Sequence, residues 1–126
     1  MNMMKLLPFM FLLLLSFVGV SYSQEDPYLP FAQVMPQPVG GLESIYKNIV
    51  YPDLARKAGI EGKVYVLVYV NEKGGVDDVK VLKGIGAGCN EAAIEGVKAV
   101  KFTPGKNNGV AVKTKLSLSI NFKLNN

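Results

Sequence analysis

The run Val110-Ala111-Val112-Lys113-Thr114-Lys115-Leu116-Ser117-Leu118-Ser119-Ile120-Asn121-Phe122-Lys123-Leu124 alternates in character from end to end. Apolar side chains or Thr114 hold every even position, and polar ones hold the odd positions apart from Ala111. Successive strand residues point to opposite faces, so this period predicts one long β-strand with one face buried and one face in water. A strand of this kind needs an apolar cover on one side. The rest of the chain therefore has to supply helices.

It does so upstream. Leu42, Ile45, Tyr46 and Ile49 recur at helical spacing after Gly40-Gly41, and Tyr51-Pro52 interrupts them. Asp53 suits the first turn of a second helix carrying Leu54, Ala55 and Ala58. Gly59 reads as its left-handed cap, with Ile60 folding back on the last turn. Val64, Val66, Val68 and Val70 then alternate with Lys63, Tyr65, Leu67 and Tyr69. A turn over Asn71–Gly75 and a returning strand with Val76, Val79 and Val81 complete a hairpin. Past the Gly84–Gly88 loop, Asn90 is the expected N-cap of a helix bearing Ala93, Ile94, Val97 and Val100. Thr103-Pro104-Gly105 and Asn107-Asn108-Gly109 break the chain again. Helices followed by strands, without strict β-α-β alternation, imply an α+β fold on an antiparallel sheet.

Composition removes several functions. The 126 residues carry 14 Lys+Arg, 10 Asp+Glu, one Cys and no His, for a net charge of +4. Without His there is no Ser-His-Asp or Cys-His catalysis, and one Cys makes neither an internal disulfide nor a thiolate zinc site. No catalytic residue, cofactor or metal site is expected, and no small-molecule substrate. The modest charge and expected export argue against nucleic acid. Gly84-x-Gly86-x-Gly88 lacks the spacing of a phosphate cradle and reads as a loop. Asp77 and Asp78 are neighbours on a strand and point apart. Cys89 reads as a small buried apolar side chain.

Residues 1–23 have the layout of a secretory signal peptide: Lys5, an uncharged run from Leu6 to Val20, then Ser21-Tyr22-Ser23 before Gln24-Glu25-Asp26. Cleavage after Ser23 exports the chain; the rival reading retains the leader as an inner-membrane anchor. Residues 24–38 form a lead-in with Pro27, Pro30, Pro36 and Pro38, read as extended and partly ordered. Residues 39–126 form the domain. If its last strand lies at the sheet edge, unpaired main-chain groups there can accept another strand. Lys113, Lys115 and Lys123 then either blunt that edge or steer an acidic partner.

Several motifs, in this order, resemble the C-terminal domain of TonB, the energy transducer of Gram-negative envelopes: Tyr51-Pro52-Asp53-Leu54-Ala55-Arg56, Gly59-Ile60-Glu61-Gly62-Lys63-Val64, the Asn71 to Val76 turn, Phe102-Thr103-Pro104-Gly105 and Ile120-Asn121-Phe122. The resemblance spans about Pro38 to Leu124. It implies a three-stranded antiparallel sheet with two helices packed on one face. It also implies a non-enzymatic, transport-linked binding module that pairs its last strand with an extended segment, the TonB box, of an outer-membrane receptor. Carried over by position, the partner-binding residues are Val50, Tyr51, Pro52, Lys113, Lys115, Ser117, Ser119, Asn121 and Phe122. Val50 stands where the family often has Gln and offers no side-chain hydrogen bond. Phe102 fits a core anchor. The lead-in, at about 3.1 Å per residue in polyproline II, reaches about 50 Å, and the expectation is a stand-alone domain without the family's long rod. The alternative is an envelope adaptor or structural domain using the same edge for self-association, as a homodimer, or for another partner.

Overall fold

The computed structural model describes residues 25–125. The leader and its expected cut lie outside them. In chain order the elements are β1 (Gln37–Pro38), α1 (Leu42–Lys47), α2 (Asp53–Ala58), β2 (Gly62–Val70), β3 (Val76–Lys83), α3 (Cys89–Lys98), β4 (Phe102–Thr103), β5 (Gly105–Asn107), β6 (Val110–Val112) and β7 (Thr114–Phe122). The main sheet has three antiparallel strands in the order β3-β2-β7.

Alternation builds this sheet as expected. Val64, Val66, Val68 and Val70 of β2 are fully buried. They stand opposite Ile120, Leu118, Leu116 and Thr114 of β7. Ile45 of α1, Ala55 of α2, and Ala93 and Val97 of α3 complete this apolar layer, with Phe102 closing one end. The other sheet face carries Tyr65, Leu67 and Tyr69 opposite Ser119, Ser117 and Lys115. The helical cover comes in three pieces, because Tyr51-Pro52 splits the segment before the sheet into α1 and α2. Gly59 ends α2 at φ 65°, ψ 31°. The Ile60 N–H donates to the Ala55 carbonyl at 2.8 Å and the Gly59 N–H to that of Arg56 at 3.2 Å. This is the paired-bond left-handed cap its sequence announced.

Three features differ from the sequence reading. The long alternating run breaks at Lys113: β6 folds back on β5 through Asn108 (φ 50°) and Gly109 (φ 77°), a two-residue hairpin turn. Thr114 is the pivot. It is buried, its Oγ1 donates to the Val112 carbonyl at 3.0 Å, and a Cβ on Gly105 would lie 2.1 Å from that oxygen. Second, Asn90 does not cap α3, which starts one residue earlier, behind Gly88. Its Oδ1 instead accepts the Ile85 and Gly86 amides at 3.1 and 3.3 Å, closing the glycine loop. Third, the lead-in is stitched to the domain despite its prolines. Leu29 bridges Thr114, Val34 bridges Lys106, and Gln37–Pro38 pairs with Phe102–Thr103. Leu29, Val34 and Gln37 all keep an N–H, and each donates it to the domain.

Candidate functional site

The order β3-β2-β7 leaves one side of β7 without a strand along its length. Register shows which groups face that side. The Lys115 N–H donates outward to the Leu29 carbonyl at 3.0 Å, and the Leu29 N–H donates to the Lys113 carbonyl at 2.9 Å. The Asn121 N–H donates to the Tyr46 hydroxyl at 3.0 Å. Main-chain groups alternate along a strand, and β7 pairs with β2 without a register shift. Ser117 and Ser119 therefore also face outward. Among the described residues nothing bonds their N–H or C=O groups. The edge is open in the middle and held at both ends by the chain itself.

At the first end, Asp26 and Lys115 form an ion pair at 2.8 Å. The Lys115 ammonium holds the Asp26 carboxyl below its usual range, and the carboxylate raises the ammonium in return. The Tyr28 hydroxyl donates to the Asp77 carboxylate. That bond pushes the phenol up to about 12 and lowers Asp77, to which the Asn71 amide also donates. The Tyr28 ring stands edge-on to Tyr69 at 5.0 Å, and the Lys113 ammonium lies 5.5 Å from its centroid. Beyond Leu29, the lead-in bounds a groove of about 540 Å³ against the strand edge, lined by Pro30, Phe31, Met35, Leu67, Leu116 and Ser117, with Lys115 at its side. Phe31 is 82% exposed there.

Tyr51 and Phe122 meet at the other end. The Tyr51 ring packs edge-on to Phe122 at 5.6 Å, and its hydroxyl donates to the Ile60 carbonyl. Burial raises this phenol. Phe122 itself is buried, and its register places it opposite Gly62. It supports Tyr51 rather than facing the open side. Pro52 packs beside Gly88, where a Cβ would lie 3.1 Å from the proline Cβ. Val50 is 79% exposed. Ser119 and Phe122 are separated by about 10 Å along the strand, so the Tyr-Pro corner lies past the Tyr46 contact. A recess of about 380 Å³ there is lined by Tyr51, Arg56, Lys123, Leu124 and Asn125.

The opposite margin differs in kind. On β3 the Val79 N–H is occupied by its neighbour's Asp78 Oδ1 at 2.8 Å. Asp77, Asp78, Lys80 and Lys83 crowd that strand with charge, the usual defence of a sheet edge. The open stretch of β7 carries uncharged Ser117 and Ser119. Cys89 is fully buried, and burial pushes its thiol up, away from thiolate chemistry. Sequence reading missed Asp26, Leu29 and Tyr46. Tyr46 reads as helix filler, and no local signal ties Asp26 to a lysine this distant in sequence. The single hint at Leu29 is its position as an amide-bearing apolar residue between Pro27 and Pro30.

The fold and this margin define a small α+β domain with an accessible strand edge and no catalytic constellation among the described residues. Residues 47–124 match the family model for the Gram-negative bacterial TonB protein C-terminal region. The chain belongs to that family, whose C-terminal domains are non-catalytic modules of the periplasm. It is 32% identical over 101 residues to protein TonB of Vibrio cholerae, covering 79% of this chain and 36% of that protein. It is 37% identical over 76 residues to protein tonB2 of Pseudomonas aeruginosa, covering 60% of this chain and 28% of that one. The chain thus spans about a third of the length of these relatives. Among solved structures, the NMR structure of the Pseudomonas aeruginosa TonB C-terminal domain superposes with a TM-score of 0.50 at 28% identity, over 62% of this chain and 80% of that one.

Proposed function

We propose that this chain binds an extended segment of an outer-membrane transport receptor by adding it as a fourth strand beside β7. Export by residues 1–23 would deliver it to the periplasm, with the domain over 39–126 doing the binding. The observation that carries the reading is the unpaired main chain of Ser117 and Ser119, set in an otherwise guarded sheet. Backbone pairing gives affinity in this mode, and flanking side chains give selectivity. Lys113, Lys115 and Lys123 favour an acidic segment through long-range attraction, acting mostly on the association rate. Asn121 closes the stretch. Val50, Tyr51 and Pro52, backed by Phe122, meet the segment where it leaves the sheet. Linkage to transport across the outer membrane follows from family membership and belongs to this proposal.

The test is a photo-reactive residue placed at Ser119 or, on the opposite margin, at Lys80, in cells making the full chain. The reading predicts capture of an outer-membrane receptor through an extended segment at Ser119 and none at Lys80. Capture at Lys80 alone contradicts it. Capture of a second copy at Ser119 replaces it with the self-pairing adaptor.

A further inference from the structure

We propose that the docking edge is longer than its open stretch: Asp26–Leu29 holds its first half as a built-in occupant, which a partner segment of like chemistry, extended and bearing a carboxylate for Lys115, displaces. The proposal rests on the strand-addition reading and specifies its partner.

Leu29 is already a strand residue added to β7. It runs parallel to Thr114, with its N–H on the Lys113 carbonyl and its carbonyl on the Lys115 N–H. Three residues before it, Asp26 pairs with the Lys115 ammonium at 2.8 Å. The edge is therefore shown accepting an extended acidic segment, and that segment belongs to the same chain. Phe31, the next residue whose main chain would turn toward β7, makes no main-chain bond to it, so the ladder stops at Leu29. The strap leaves the strand there, and Ser117 is the first outward residue left bare.

The hold is weak where it matters. Two main-chain bonds, an ion pair with the aspartate side chain 42% exposed, and the Lys113 ammonium 5.5 Å from the Tyr28 ring centroid make up its contact with the edge. Exposed ion pairs contribute little to stability. Leu29 is itself 39% exposed. Tyr28 adds its hydroxyl bond to Asp77 and its packing on Tyr69, again at the surface. The next attachment is separate. The Val34 N–H donates to the Lys106 carbonyl at 3.0 Å and the Lys106 N–H to that of Val34 at 2.9 Å, while the Gln33 N–H donates to Asn107 Oδ1 at 2.8 Å. Asp26–Leu29 can thus lift about Pro30-Phe31 while residues 33–38 stay fixed. Lifting joins the Lys113–Lys115 groups to the Ser117–Ser119 groups, and the apolar groove beside Phe31 and Leu116 then flanks one continuous edge.

The test uses the full chain, wild type and the variants Leu29→Pro and Asp26→Lys, with amide exchange read residue by residue. The probe is a synthetic peptide of this chain's residues 25–31. A tethered strap competes at millimolar effective concentration, so the expectation is about tenfold faster exchange at Lys115 in each variant, with Leu116 and Leu118 unchanged. The added peptide restores protection at Lys115 in Leu29→Pro and binds wild type about tenfold more weakly. A peptide carrying Lys in place of Asp26 loses most of this binding at low salt. Unchanged Lys115 exchange in both variants, or equal peptide binding to wild type and Leu29→Pro, overturns the proposal. Receptor capture at Ser119 with an unaltered Lys115 removes the strap alone. Absence of any receptor capture, with the peptide still protecting Lys115, removes the receptor reading and keeps the strap.

Discussion

Neighbouring residues of β7 should answer differently to proline. At Ser117 the N–H faces outward and bonds to nothing among the described residues, so a proline there removes no ladder bond. Its ring asks for a modest shift in φ, offset by the smaller freedom of the unfolded chain, and Ser117→Pro is expected to change stability by within about 1 kcal/mol. Leu116 is opposite Val68, whose side chain is fully buried at the centre of the sheet. Leu116→Pro deletes the ladder donor and leaves a buried carbonyl unpaired, about 1–3 kcal/mol. It also gives up a partly buried leucine side chain, roughly another 1 kcal/mol. The sum, about 2–4 kcal/mol, is a large part of the total for a domain this size. Urea unfolding of the two variants measures the contrast. A Ser117→Pro loss as large as that of Leu116→Pro would refute the register on which the edge assignment stands.

Other perturbations follow from the same geometry. Gly74 has φ +83°, and a Cβ there would lie 1.9 Å from the Phe102 carbonyl oxygen. Gly74→Ala is expected to destabilise by about 3 kcal/mol or more, since strain and a backbone clash add; a loss below 1 kcal/mol in the same urea assay contradicts the packing of the hairpin turn on β4. Tyr46→Phe removes the acceptor for the Asn121 N–H, so that amide should exchange as fast as Ser119 with stability changed by about 1 kcal/mol at most. A slow Asn121 amide in that variant would show another partner. The Asp26 carboxyl is lowered when folded, so its contribution is complete above about pH 4 and disappears as pH falls through the lowered value. Lys115 is raised, so its share holds below about pH 10 and fades above its elevated value. Amide shifts of Leu29 and Lys115 should therefore stay flat from about pH 5 to 9 and move together below about pH 4 and again as Lys115 loses its proton above about pH 10; a transition near neutrality would point to a different group.

Much of the architecture was legible because it rests on periodicity. The valines of β2 and the even residues of β7 declare their faces without help from the rest of the chain, and the Gly59-Ile60 cap declares the end of α2. The break at Lys113 was not legible. It depends on Gly105 approaching Thr114, a contact between separate segments that leaves the alternating pattern intact. Asn90 was misread because its side chain can serve either the helix or the loop behind it, and three-dimensional proximity to Ile85 and Gly86 decides. The site was legible to the extent that it is a strand edge. Which part of that edge stays open was hidden, since Tyr46 and Leu29 close it from elements whose local sequence gives no sign of where they land. The prolines of the lead-in misled in the same way: they restrict the ladder at their own positions and leave the amides between them free to pair.

The central claim is that β7 keeps Ser117 and Ser119 unpaired on its outer side. Residue-resolved amide exchange on the free chain addresses it most directly. The account predicts fast exchange at Ser117 and Ser119 between slow neighbours at Leu116, Leu118 and Ile120, with Lys115 and Asn121 intermediate. Uniform protection from Leu116 through Ile120 would contradict it.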